Sequence, residues 1–265
     1  LVTGARWESL RAGHLANCLF IAIGIAAALS VGLQLHQWLT LDGLELWSMG
    51  SDVSRPHANF GQPNQLGTFL LWALLGVAWG FLRGKIGPAV AVFAAAFLLS
   101  GIALASSRTS WIGLVALVLA SWYWRSLWPS RQLPWVVTAL AAGFALLVAA
   151  MPGIERALLL TTDVGGGDIV ARLSRESRPQ IWALFLDAAW QKPWLGYGWN
   201  QVAMADMVGS DHRPALHTFF AHSHNLFLDL VLWVGLPLGL LLTGLCLVWF
   251  WRQFRSVAHA QSAVL

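Results

Sequence analysis

Charge is scarce in this chain of 265 residues. Asp, Glu, Lys and Arg make up only 11% of it, whereas soluble domains carry about 25%. Tyrosine is scarce as well, with two residues against 17 Trp. The two cysteines, Cys18 and Cys246, lie inside apolar runs, which excludes a disulfide framework. These absences exclude a soluble globular protein, and we expect no nucleic-acid partner.

Long apolar runs dominate the chain instead. Hydrophobic residues make up 57% of it and the mean hydropathy is +0.63. A helix needs roughly 20 apolar residues to cross about 30 Å of hydrocarbon. Six segments approach this length and are predicted to span: residues 15–35, 64–82, 86–105, 110–128, 135–151 and 225–251. The sequence therefore predicts an all-α polytopic membrane helix bundle, with residues 1–265 as a single membrane domain.

Basic residues mark one side of the membrane. Eight of the 16 Lys and Arg lie near the chain ends and in two short connections: Arg6, Arg11, Arg83, Lys85, Arg125, Arg131, Arg252 and Arg255. By the positive-inside rule these positions, and with them both ends, face the cytoplasm. The connections 36–63 and 152–223 are then outside loops. Because the chain begins with Leu1 and lacks a cleavable signal peptide, we expect a fragment of a longer membrane protein.

The first outside loop ends in a polar run, residues 55–65, that leads directly into an apolar segment. Asn64 is placed to cap the helix that follows, and Gln62 and Gln65 to support the loop. Arg55 opens the run. Capping and loop formation alone explain these residues, and a binding site is the alternative.

A second polar run, residues 106–110, connects two apolar segments. An arginine so close to the bilayer is costly unless it snorkels to the surface or meets an anion. Arg108 therefore either snorkels or forms a phosphate-binding fork at a helix N-terminus, because a guanidinium can bind two oxygens at once.

The large outside loop contains a helix that is too short to span. Ser177 and Gln180 have the spacing of a capping box, and residues 177–190 are apolar on most sides. We expect this helix to lie in the outer interface with its Trp and Phe side chains in lipid and Arg178 at the headgroup level.

Four histidines lie between residues 212 and 224, and two of them, His222 and His224, adjoin the last apolar segment. The positive end of a helix favours neutral imidazole, which is the form that a general base requires. Asp229, one turn inside the segment, is expected to be paired or functional. Two alternatives stay open: the histidines contact lipid headgroups, or they bind a metal. No Cys or Glu lies nearby, which weakens the metal alternative.

The order of these motifs resembles the O-antigen ligase and polymerase superfamily, and most closely the pilin-type O-linked oligosaccharyltransferases. The resemblance covers about residues 57–241. It depends on four sets of residues: 60–66, 107–109, Arg178 and Trp182 with 193–198, and 222–225 followed by 235–237. The chain departs from the family where an acidic residue often precedes the last Gly, because Trp233 and Val234 stand there.

The resemblance implies a membrane glycosyltransferase in the bacterial inner membrane. Such enzymes transfer a glycan from undecaprenyl diphosphate, at the periplasmic face, to a Ser or Thr of a pilin-like protein or to a sugar of the lipid A core. It further implies that no metal or cofactor takes part and that the anomeric centre is inverted. The implied roles are diphosphate binding by Arg108, Arg178 and Arg55, and proton removal by His224, which His222 and Asn225 orient.

Two alternatives to this reaction stay open. A polymerase that joins two lipid-linked repeat units differs only in its acceptor. A multispan transporter would line its path with intramembrane charge. The predicted spans hold almost no charge and the polar residues gather at one face, which favours the enzyme.

Overall fold

The computed structural model describes residues 13–49, 55–128, 130–160, 178–210, 220 and 222–262, without the side chains of residues 127, 178, 210 and 256–262. This part of the chain forms eight α-helices and no β-strand. The helices are α1 (His14–Trp38), α2 (Pro63–Leu82), α3 (Pro88–Ala105), α4 (Arg108–Tyr123), α5 (Leu133–Ala157), α6 (Arg178–Gln191), α7 (Val202–Ser210) and α8 (Leu226–Ser262). The chain divides into two compact units, Leu1–Asp168 and Ile169–Leu265, so the prediction of a single membrane domain stays a prediction.

The first unit contains α1 to α5. Helices α1, α2 and α3 pack on one another, α4 packs on α2 and α5, and α5 also packs on α3. Small and branched side chains fill the contacts, with Ala27, Val31, Leu66, Leu70 and Ile102 fully buried. Many of the other large apolar side chains on these helices are exposed, as expected for helices whose solvent is lipid.

Five helices in the described part of the chain are long and apolar enough to cross a membrane: α1, α2, α3, α5 and residues Leu226–Arg255 of α8. This confirms a polytopic helical membrane protein. The remaining predicted span, residues 110–128, is shorter than predicted. Helix α4 ends at Tyr123 after 16 residues, a length of about 24 Å. The chain then forms a short 3₁₀ turn, Arg125–Leu127, and Trp128 donates its indole N–H back to the carbonyl of Ser121 at 2.8 Å.

The large loop begins later than predicted. Pro152 was expected to open it, but α5 continues through Pro152 to Ala157. Proline removes one helical hydrogen bond without ending the helix here. Arg156, one turn later, donates to the carbonyl of Pro152 at 3.1 Å.

The second unit is built on α8. Helices α6 and α7 pack on each other and on the first part of α8. Ile181, Leu184, Phe185, Ala188, Val202, Ala205, Val231 and Leu232 form its core. The predicted helix at 177–190 is present as α6, but the prediction that its Phe side chain faces lipid is wrong. Phe185 is fully buried because it completes this core, whereas Trp190 is exposed.

Candidate functional site

A tight turn presents Arg108 at the start of α4. Ser106 ends α3 in a left-handed conformation with φ of 47°, and Ser107 caps α4 by accepting a hydrogen bond from the Ser110 backbone N–H at 3.4 Å. Arg108, the first residue of α4, is half-buried. Its neighbours Ser107 and Ser110 are fully buried, so the arginine stands on a fixed turn.

A glycine in α2 backs this turn. A Cβ added to Gly67 would collide with the Ser110 hydroxyl and would come within 3.2 Å of the Ser107 Cβ. Because only a residue without a Cβ permits this approach, the second turn of α2 lies directly against the turn of Arg108.

Arg55 meets the same turn from the other side. Its Nη2 donates to the carbonyl oxygens of Ser106 at 3.1 Å and Ala105 at 3.4 Å, and its Nε donates to Ala105 at 3.4 Å. These carbonyls end α3, where a cation is favoured by the helix dipole. Two of the three predicted diphosphate ligands, Arg55 and Arg108, are thus brought to one connection.

Three polar residues of α1, which sequence reasoning missed, hold the loop of Arg55. Gln37 accepts hydrogen bonds from the N–H groups of His57 and Ala58 at 3.1 and 2.7 Å and donates to the carbonyls of Met49 and Ala58. Gln34 donates to the carbonyls of Pro56 and Gly101, which ties the loop to α3. Ser30 donates to the Asn59 side chain at 3.0 Å. The spacing 30, 34 and 37 was the available signal, because it places all three on one helix face.

The cap of α2 differs from the prediction. Asn64 was expected to cap this helix, but α2 begins one residue earlier with Pro63 in its first turn and Gln62 as the N-cap residue. Proline suits this place because a first-turn N–H has no intrahelical acceptor. The Gln62 side chain makes no capping bond, and Gln62 and Gln65 are exposed.

In the second unit, the turn before α8 presents two histidines. His222 and His224 are exposed, whereas Ser223 between them is fully buried. His224 adopts a left-handed backbone conformation with φ of 58°. Asn225 caps α8, because its side-chain oxygen accepts from the N–H groups of Phe227 at 3.1 Å and Leu228 at 3.4 Å. The structure thus shows Asn225 as a helix cap. Its predicted role in orienting the His224 imidazole stays a prediction.

Ser223 is the anchor of this turn. Its N–H donates to Asp229 Oδ1 at 3.0 Å, and its carbonyl accepts from the Trp182 indole N–H of α6, also at 3.0 Å. Its hydroxyl donates to the carbonyl of Asn225. Asp229 is 7% exposed and, as expected, is paired.

A second buried carboxylate, Asp206 of α7, was missed by sequence reasoning. It is 2% exposed and its Oδ2 accepts from the Phe220 N–H at 3.1 Å. Burial raises the pKa of the Asp206 carboxyl, and the hydrogen bond from Phe220 opposes part of that rise. The signal was a lone Asp in an otherwise apolar run. Asp206, Asp229 and Trp182 thus tie the segment that bears His222 and His224 to helices α7, α8 and α6.

The motif at residues 193–198 packs on a break in α8. Gly235 leaves the helical conformation with φ of 83°, and Pro237 has no N–H to donate. The carbonyls of Leu232 and Trp233 accept instead from the N–H groups of Tyr197 at 2.7 Å and Gly198 at 3.0 Å, and Leu236 donates to Pro193. A Cβ on Gly235 would collide with the carbonyl of Trp194. Two distant motifs are therefore one structural element, the clamp of residues 193–198 on Gly235.

The remaining predicted residues are only partly described. Arg178 is the first residue of α6, but its side chain lies outside the described residues, as do Ser177, Arg172, Arg175, His212 and His217. No group of three or more His, Cys, Asp or Glu suited to a metal ion occurs among the residues the structure describes. Arg55 and Arg108 belong to the first unit and His222 and His224 to the second, so their convergence on one pocket stays a prediction.

Comparison with known proteins agrees with the resemblance. The family described as O-Antigen ligase matches residues 93–243, more than half of the chain. A general O-oligosaccharyltransferase of Acinetobacter baylyi (strain ATCC 33305 / BD413 / ADP1) is 33% identical over 241 residues, which are 89% of this chain and 41% of that protein. A ComP-specific O-oligosaccharyltransferase of the same strain is 28% identical over 212 residues, 80% of this chain and 38% of that protein. The chain thus spans about two-fifths of the length of these relatives. No solved structure matches it significantly.

Proposed function

Because the chain belongs to the O-antigen ligase family, we propose that this protein transfers a glycan from undecaprenyl diphosphate to an acceptor hydroxyl at the periplasmic face of the inner membrane. The observation that carries the proposal is the turn at His224. An exposed imidazole in a left-handed turn, which two buried carboxylates and the Trp182 indole tie to three helices, suits a base that must meet an incoming hydroxyl.

The chemistry follows from the groups available. The His224 imidazole takes the proton of the acceptor hydroxyl as its oxygen attacks the anomeric carbon. The bond from that carbon to the diphosphate oxygen breaks, and the bonding electron pair leaves with the diphosphate. A direct displacement of this kind inverts the anomeric centre. His222, two residues away on the same turn, and Asn225 are proposed to orient the imidazole.

Arginines neutralise the charge that develops on the diphosphate, so the transfer needs no metal ion. Arg108 stands at a helix N-terminus, where backbone N–H groups also favour an anion. Arg178 begins α6 in the same way. Arg55 already donates to the carbonyls that end α3, so we assign it to holding the turn of Arg108 rather than to a primary contact with diphosphate.

The names of the relatives favour one class of acceptor. Both are O-oligosaccharyltransferases, and one is described as ComP-specific. A Ser or Thr of a pilin-like protein is therefore proposed ahead of a sugar of the lipid A core.

The test is transfer of a lipid-linked glycan by the full-length protein in membranes, with and without chelator. We expect His224→Ala, Arg108→Ala and Arg178→Ala each to lower the rate on the order of 100-fold or more, as removal of a group that stabilises developing charge or moves a proton does. His36→Ala, which changes a histidine near the first loop, and Arg255→Ala, which changes an exposed arginine, are the matched controls.

Two results would contradict the proposal. Activity that survives both His224→Ala and Arg178→Ala would remove the assigned roles. Loss of activity on chelation alone would show that a metal ion takes part.

A further inference from the structure

Helix α8 changes its surroundings at Gly235. Before this residue, Leu228, Val231 and Leu232 are buried against α6 and α7. After Pro237 the large apolar side chains are exposed, among them Leu238, Leu240, Leu241, Leu245, Leu247 and Val248. Both parts are apolar, but the first part is mostly covered by its own unit after Leu226 and Phe227, which are exposed, whereas the second part is mostly exposed. The two parts of α8 therefore meet different solvents.

The length of α8 supports the same division. Residues Leu226–Arg255 number 30, a helix of about 45 Å, which is about half as long again as a hydrocarbon core of about 30 Å. The 20 residues from Leu236 to Arg255 match that core at about 30 Å. Arg252 and Arg255 are exposed at the far end, where snorkelling to headgroups is expected.

Aromatic side chains gather where this second part begins. We name four of these apolar side chains the collar. They are between 69% and 84% exposed: Trp190, Trp194, Leu195 and Trp199. The backbone at Trp194 lies against Gly235, and the rings of Trp199 and Trp233 are 4.6 Å apart. Lys192 adds a positive charge at the same level, 4.9 Å above the Tyr197 ring. Trp and Lys are the side chains that favour the boundary between hydrocarbon and headgroups.

The break in α8 at Gly235 is compatible with a position at the boundary between hydrocarbon and headgroups. A clamp that left backbone groups exposed to hydrocarbon would be costly, since no water is there to bind them. The carbonyls of Leu232 and Trp233 are instead bound by Tyr197 and Gly198, and the Leu236 N–H by Pro193. The Tyr197 hydroxyl donates to the carbonyl of Ala188 at 2.9 Å. The clamp is thus able to stand at the edge of the hydrocarbon.

We propose that the edge of the hydrocarbon core opposite Arg252 and Arg255 crosses this unit at Gly235, where the collar contacts phospholipid. Helices α6 and α7 and residues 226–234 then stand outside the hydrocarbon. Helix α6 runs antiparallel beside α8, because Trp182 bonds to Ser223 near one end and Pro193 bonds to Leu236 near the other. Only its Trp190 end reaches the boundary, which revises the prediction of a helix lying flat in the interface.

The proposal gives a height for the histidine turn. Gly235 follows Asn225 by ten residues, so His224 lies about 15 Å beyond the hydrocarbon edge. This height is independent of the reaction proposed above, because it depends only on exposure, length and side-chain type.

Depth measurement by spin labels tests this proposal. Single cysteines are introduced into full-length protein with Cys18→Ser and Cys246→Ser, and the protein is placed in nanodiscs of phosphatidylethanolamine and phosphatidylglycerol. Leu226→Cys, Leu240→Cys and Met207→Cys are matched at 62%, 61% and 60% exposure. Leu195→Cys reports on the collar, and Trp199→Cys replaces it if the labelled protein loses its thermal transition.

We expect accessibility to a water-soluble nickel complex to be several-fold higher at residues 226 and 207 than at residue 240, with the reverse order for oxygen. The collar label should have an accessibility to nickel between these two values. If residue 226 is as deep as residue 240, the span begins at Leu226 and the proposal is overturned. If the collar label is as accessible to nickel as residue 207, the collar does not contact lipid and the proposal is likewise overturned.

Discussion

Asp229 accepts a hydrogen bond from the backbone N–H of Ser223 at 3.0 Å, across the turn that carries His224. Both residues are buried. The carboxylate lies in the first turn of α8 and the N–H precedes the helix, so this contact helps to determine how the chain enters α8. In this arrangement Asp229 is a positioning residue.

We expect Asp229→Ala to lower glycan transfer at least 10-fold, because it leaves the Ser223 N–H buried without an acceptor, at a cost of about 1–3 kcal/mol. Asp229→Asn keeps an acceptor oxygen in place and should restore most of the rate. The measurement is kcat and KM for transfer at equal amounts of membrane-inserted protein. Asp42→Ala, which removes an exposed carboxylate, is the control. Equal losses with Ala and Asn would show that charge, rather than the hydrogen bond, matters.

Asp206 should make stability depend on pH. Burial raises the pKa of Asp206 above its unfolded value, so between the two values the folded state binds a proton that the unfolded state does not. Stability from this group is therefore greatest below the unfolded pKa and falls as pH rises through the folded pKa. Asp206→Asn keeps an acceptor for Phe220 and removes the titration.

The measurement for Asp206 is the midpoint of thermal unfolding in detergent, from acidic to neutral pH. The difference between the unfolding midpoint of Asp206→Asn and that of wild type should increase as pH rises from the unfolded to the folded pKa of Asp206. Above that range the difference should stay constant. Asp42→Asn, which replaces an exposed carboxylate, is the matched control. Parallel curves for wild type and Asp206→Asn would contradict the assigned shift.

Gly67→Ala should destabilise the first unit, because the new Cβ collides with the Ser110 hydroxyl. Overpacking of this kind typically costs about 1–3 kcal/mol. Gly24→Ala is a matched control in α1, since a Cβ at Gly24 meets nothing within 4 Å, and helix propensity alone should make it neutral or stabilising. Thermal unfolding in detergent distinguishes the two. If Ser110→Gly partly restores the unfolding midpoint of Gly67→Ala, the clash lies at Ser110. Equal midpoints for Gly67→Ala and Gly24→Ala would refute the clash.

Gly235→Ala should disrupt the clamp. Gly235 has a positive φ of 83° and its Cβ would collide with the Trp194 carbonyl, so strain and steric overlap add. We expect a lower unfolding temperature and faster cleavage by protease in the segment 192–201, which contains most of the collar. Gly244→Ala in the same helix, where a Cβ meets nothing within 4 Å, should leave both unchanged. A tolerated Gly235→Ala would mean that the clamp contributes little to stability.

Several elements could be predicted because their signals are local. The bounds of α1, α2 and α3 agree with the hydropathy of the chain within a few residues. Pro152 misled the prediction of the α5 end because proline weakens a helix without always ending it. Asn64 misled the prediction of the α2 cap because Pro63 already suits the first turn.

The candidate site was only partly accessible to sequence reasoning. Arg55, Arg108, His222 and His224 stand out because charge and imidazole are rare in this chain. Gln37, Asp206 and the clamp of residues 193–198 on Gly235 do not stand out, because each depends on a partner farther along the chain. Hydrogen bonds between distant segments have no local periodicity, so no pattern of spacing predicts them.

The sequence by itself determined that this protein is a bundle of membrane helices of the O-antigen ligase family. A helical protein crosses hydrocarbon with long apolar helices, and the lengths of the apolar runs can be read directly from the sequence. Only the tertiary structure decided which polar groups hold the arginine turn and the histidine turn, because those contacts join helices whose order in space is set by packing. It also decided that Phe185 belongs to a protein core, since an apolar side chain alone does not distinguish lipid from protein as its surroundings.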